Sequence, residues 1–126
     1  MTAERRGRQR LPWVSMGAWV KVRKGLLSSH WVDVEVVDFS SQGLGLITDL
    51  PFKEEERLQL SLKLGTEVGE LVVNKVTGLV RHSQPHDKGT MFGLEFEADQ
   101  GEDVTKSLER IEGILIRHQK LADRLR

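Results

Sequence analysis

Apolar and polar residues alternate with a period of two through the middle of the chain. In His30–Ser40, Val32, Val34 and Val36 fall on one face, with Asp33 and Glu35 on the other. In Arg57–Gly65 the pattern is cleaner: Leu58, Leu60, Leu62 and Leu64 alternate with Gln59, Ser61 and Lys63. Thr90–Ala98 sets Phe92, Leu94 and Phe96 against Met91, Gly93, Glu95 and Glu97. Weaker strand signals lie in Ala18–Arg23, Gly43–Thr48 and Gly69–Ser83. The last is long enough for one bent strand or two short ones, with Gly78 as a candidate bulge. One-sided strands joined by short Gly/Ser/Asp segments predict an antiparallel sheet closed around one apolar interior.

The period then changes. From residue 99 onward Val104, Leu108, Ile111, Leu115, Ala122 and Leu125 recur at steps of three, four and seven, which predicts an amphipathic helix. Asp99 and Glu102 have capping-box spacing, and Asp103 adds negative charge to the first turn. Lys120, Arg124 and Arg126 complement the other end. The expected organisation is one domain: a flexible basic arm over residues 1–12, a small β-barrel of about six strands over 13–98, and the helix over 99–126. The fold class is mainly β. The helix either packs on its own barrel or joins two copies as a homodimer, since its stripe suits both.

Composition narrows the chemistry. Nineteen basic and nineteen acidic residues cancel, which argues against a duplex DNA binder with its broad basic surface. There is no cysteine, which excludes a disulfide framework, a thiolate zinc site and a cysteine nucleophile. No apolar run is long enough for a membrane span, and Pro12, Ser15, Gly17 and Lys21 break what would have to be an export signal. A soluble, cytoplasmic protein is expected.

Catalytic and metal-binding constellations do not assemble. His82 and His86 are four apart but flank Pro85 in a turn-like segment, and two histidines make a poor zinc site. His118 lies on the helix stripe and reads as packed or partly exposed. No serine occupies a strand–elbow–helix context, and Glu54–Glu56 reads as a solvated loop. Gly43 and Gly45 lack the third glycine and following helix of a dinucleotide fingerprint. The chain is therefore expected to be a binding module, not an enzyme, with no metal and no resident cofactor.

Two motifs remain. Four arginines crowd the N-terminus (Arg5, Arg6, Arg8 and Arg10), and Arg6 and Arg10 form R-x-x-x-R. About thirty residues later, Asp38, Ser40 and Gly43 form D-x-S-x-x-G where the strand bearing Val32–Val36 runs out. In this order and spacing the pair resembles the PilZ domain family, bacterial β-barrels that act as receptors for cyclic di-GMP (c-di-GMP). The Gly-Leu-Gly-Leu run at residue 43, the late Gly93-x-x-Phe96 and the closing helix extend the resemblance over roughly residues 5–126.

The resemblance implies a second-messenger receptor that regulates motility or biofilm formation in the bacterial cytoplasm. Arg6, Arg10, Asp38, Ser40 and Gly43 would bind the ligand. The basic Arg5 directly before R-x-x-x-R implies an intercalated ligand dimer. Arg8 and Arg81 are weaker candidates. The residue types suit such a ligand: guanidiniums grip phosphates bidentately and stack on purines, while a carboxylate complements the guanine N1–H and amine. The arm would close over ligand docked at Asp38 and Ser40, changing a surface that a downstream protein partner reads. Two alternatives stand beside this reading. One is an adaptor of the same fold working by protein contact alone. The other is a barrel binding single-stranded nucleic acid, disfavoured by the lack of aromatic stacking platforms.

Overall fold

The computed structural model describes residues 14–124. Six strands follow one another in the chain: β1 (Val14–Lys24), β2 (Ser28–Ser40), β3 (Gly43–Thr48), β4 (Arg57–Thr66), β5 (Gly69–His86) and β6 (Gly89–Phe96). One helix, α1 (Glu102–Arg124), ends the described region. The strands close into an antiparallel barrel in the order β1-β2-β3-β6-β5-β4. The six alternating segments are thus six strands, and the expected barrel with its C-terminal helix is the one observed.

The alternation explains the core. Leu58, Leu60, Leu62 and Leu64 all point inward and are buried, as are Leu44 and Leu46 of β3 and Phe92, Leu94 and Phe96 of β6. A fully buried leucine contributes about 2 kcal/mol of transfer free energy, so the β4 stripe alone dominates local stability. Leu108 and Ile111 of α1 join the same core, and Val104, Ile114 and Leu115 pack at its margin. The helix therefore covers its own barrel, touching β5 and β2. His118 is half-buried, in keeping with its place beside the stripe.

Three local expectations are corrected. Residues 69–86 form one long strand, but its bulges lie at Asn74–Lys75 and at Arg81, where the register with β4 and β6 slips. Gly78 is regularly paired on both sides; a Cβ there would press on Leu94 and Leu60 at 3.3 and 3.4 Å, so this glycine makes room for core leucines. The segment from Arg81 to His86 is strand rather than turn. Pro85 is tolerated because β4 has stopped pairing at Leu79, leaving that edge without a partner for its missing N–H. His82 and His86 then stand roughly 13 Å apart by strand rise, too far to share an ion.

The helix starts two residues later than the capping-box spacing implies. Gly101, at φ 97°, accepts the first helical bond from Thr105 N. Gln100 does the anchoring instead: its Oε1 accepts from Thr77 N at 2.6 Å, and its Nε2 donates to Thr77 O and Glu97 O. Glu102 and Asp103 do sit in the first turn, facing the positive helix end. No helix among the described residues is long and apolar enough to cross a membrane.

Candidate functional site

Strict alternation along β2 would send Asp38 and Ser40 inward after Val36. A bulge prevents it. The register with β3 runs Val36↔Leu46 and then Asp38↔Gly45, so Val37 is an extra residue and lies half-exposed. Asp38 consequently points out, and Phe39 turns in to pack on Phe96 with ring centroids 5.9 Å apart. On β5 the bulge at Arg81 does the same: Val80 is buried, whereas Arg81 and His82 both reach the surface.

The two bulges create a row across four strands. Asp38 pairs with Gly45, Gly45 with Gly93, and Gly93 with His82. The two central positions have no side chains, which leaves room above their backbone for the acid on one side and the imidazole on the other. Those flanking groups lean over it. Asp38 Oδ1 accepts a hydrogen bond from Gly45 N at 2.9 Å, and a Cβ on Gly45 would stand 3.0 Å from that oxygen. A Cβ on Gly93 would overlap the His82 ring. Asp38, Ser40, Gly43, Arg81 and His82 line one depression of about 410 Å³ over this floor.

Neighbouring contacts hold the rim. Ser40 Oγ accepts from Gln42 N at 3.1 Å, a local turn that leaves its O–H proton free to donate outward. Gly43 is needed for close approach, because a Cβ there would overlap the Leu94 carbonyl oxygen of β6. Between them, Ser41 N donates to Glu112 Oε2 of α1 at 3.0 Å, tying the turn to the helix. Arg81 is engaged by two carboxylates: Nε reaches Glu95 at 2.7 Å and Nη1 reaches Glu55 at 3.1 Å. The hydrogen bond donated to Glu95, then the charges of Glu55 and Glu95, raise its pKa above the ordinary guanidinium value.

Of the residues singled out in the sequence, Asp38, Ser40, Gly43 and Arg81 meet around this depression. Arg5, Arg6, Arg8 and Arg10 lie outside the described residues. Sequence reasoning missed His82, Glu95, Glu55 and Glu112. Gly93 in mid-strand was a usable signal for His82, since such a glycine marks close approach. Nothing in the sequence marked Glu112. Among the described residues no three metal-ligating side chains gather.

A family model described as the PilZ domain matches residues 4–113. The chain belongs to the PilZ domain family. The match includes both motifs, the whole PilZ barrel and the first half of α1. Among solved structures, this PilZ chain is similar to YcgR from Escherichia coli, crystallised in complex with c-di-GMP, with a TM-score of 0.61 and 16% identity. The alignment covers 93% of this chain and 50% of that one, so the chain spans about half the length of YcgR. At that identity the likeness is one of fold. No curated protein matches the chain.

Proposed function

We propose that this PilZ domain is a c-di-GMP receptor whose ligand lies on the outer face between Asp38 and His82. The observation that carries the reading is the depression lined by Asp38, Ser40, Gly43, Arg81 and His82, with an oriented carboxylate at one wall. Gly45 and Gly93 add no side chains of their own to the floor, and a planar purine would stack there on the His82 ring that lies over Gly93. A guanine needs an acceptor at its N1–H and amine edge. Asp38 has one oxygen fixed by Gly45, and among the described residues no donor reaches Oδ2. Membership of the family and the fold shared with a c-di-GMP-bound protein support the same ligand.

In this reading Arg6 and Arg10 grip the phosphates bidentately, and Arg5 stacks on a second, intercalated ligand molecule. Ser40 donates beside Asp38, and Gly43 keeps the turn close to β6. Arg81 meets the ligand at the rim only by exchanging part of its contact with Glu95 or Glu55. Ligand binding folds residues 1–12 over the depression. The Ser41–Glu112 hydrogen bond then offers a route by which strain in the turn reaches α1 and the surface a protein partner reads in the bacterial cytoplasm, where c-di-GMP acts. Self-association through the exposed side of α1, around Ile116, belongs to the same proposal.

Calorimetric titration with c-di-GMP is the test. Binding with two ligands per chain is expected, with at least tenfold loss in Arg6→Ala and in Asp38→Ala. Folded protein that gives no heat up to submillimolar ligand would refute the receptor reading. Intact binding by both variants would refute the site.

A further inference from the structure

The far end of β2 carries a second surface feature. Pairing between β1 and β4 stops at Val20↔Leu60, and pairing between β2 and β3 begins only at Glu35↔Ile47. Beyond those points β1 and β2 pair with each other alone, out to Lys24↔Ser28. A two-stranded ribbon therefore projects from the barrel. Its loop is Gly25-Leu26-Leu27, with Gly25 at φ 77° supplying the turn and Ser28 Oγ donating to Lys24 O to close it.

Leu26 and Leu27 are 90% and 101% exposed. Turn chemistry favours Gly, Asn, Asp or Ser at such an apex, and two adjacent leucines there have no role in the turn itself. Single exposed leucines are ordinary; a pair at the tip of a projecting ribbon is not. Just behind the tip stand Lys21, Arg23 and Lys24, and residues 14–32 contain no acidic residue at all. Lysines alone would be explained as guards of unpaired strand edges. That explanation does not cover the leucines.

We propose that this ribbon docks on an anionic lipid surface, Leu26 and Leu27 entering the headgroup–acyl boundary while Lys21, Arg23 and Lys24 neutralise headgroup charge. The shape favours lipid over a protein partner. The tip is convex and solvent-surrounded, so a protein would need a matching apolar pocket, whereas a bilayer accepts any small apolar wedge backed by cations. The groove beneath the ribbon, about 750 Å³, extends the same character: Leu50, Pro51 and Phe52 form its apolar side. Its one acid, Glu56, accepts from Lys53 N and is outnumbered by Lys21, Arg23 and Arg57. The tip and Asp38 lie roughly 35 Å apart along β2 by strand rise, and the two surfaces share no residue. Lipid docking thus stands independently of the ligand reading.

Cosedimentation of the full chain with phosphatidylcholine vesicles, with and without phosphatidylglycerol, tests the proposal. The chain is expected to pellet with the anionic vesicles and to be released as salt rises. Replacing Leu26 and Leu27 together by serine should weaken binding at least about tenfold. Replacing Lys21, Arg23 and Lys24 together by glutamine should weaken it about a hundredfold. Leu26→Trp should bind more tightly than the parent, a gain that misfolding does not imitate. A chain that stays in the supernatant with phosphatidylglycerol vesicles at low salt overturns the proposal and assigns the tip to a protein partner. Serine variants that pellet like the parent overturn it as well.

Discussion

The two ends of β2 treat their side chains in opposite ways. At the Asp38 end the strand pairs with β3, a bulge sets the direction of each residue, and hydrogen bonds from Gly45 N to Asp38, from Gln42 N to Ser40 and from Ser41 N to Glu112 fix the turn. At the Leu26 end the strand has left the barrel, and two large apolar side chains meet only solvent. Orientation is determined where the backbone is crowded and left open where it is not. A surface for a small, polar, shaped ligand needs the first condition. A surface for a fluid, unshaped partner tolerates the second.

Substitutions separate the two ends by the size of their effect on stability. The largest is expected for Gly43→Ala, because the added methyl meets a backbone carbonyl and β3 must move from β6; about 3 kcal/mol should be lost in urea unfolding. Asp38→Ala leaves the buried Gly45 amide short of its acceptor, at about 1 to 2 kcal/mol, together with the loss of ligand affinity described above. Gly93→Ala should cost roughly 1 kcal/mol, by displacing the His82 ring. That loss should largely vanish in a His82→Ala background, and a double-mutant cycle reads the coupling directly. The smallest effect belongs to the other end: replacing Leu26 and Leu27 by serine should move stability by less than about 0.5 kcal/mol. A large loss there would mean that the tip is part of the folded scaffold and would erase the contrast.

Alternation made the six strands legible because each buries one face, and the change of period made the helix legible for the same reason. The site was only half legible. Asp38, Ser40 and Gly43 stood out through their residue types and spacing, but their outward direction depends on Val37 being skipped. The adjacent pair Val36–Val37 is the trace of that skip, readable as a break in the alternation only once β3 supplies the register. Arg81 hides its bulge better, because a polar residue after Val80 looks like regular alternation. Asp99 and Glu102 show the converse failure: correct spacing for a cap, overridden by a glycine with positive φ and by the reach of Gln100 to Thr77. Glu112 was invisible because an acid on a helix has no local reason to face a strand end.

The contacts at the turn also differ in how far they reach along the chain. Asp38 finds Gly45 seven positions away, whereas Ser41 finds Glu112 seventy-one positions away. A chain emerging from the ribosome can form the first bond as soon as β2 and β3 have emerged, since loop closure over so few residues is inexpensive. The second must wait for almost the whole domain. Until α1 is made, the backbone between Ser40 and Gly43 hydrogen-bonds water in place of Glu112. The turn begins forming early in synthesis and acquires its final shape near the end.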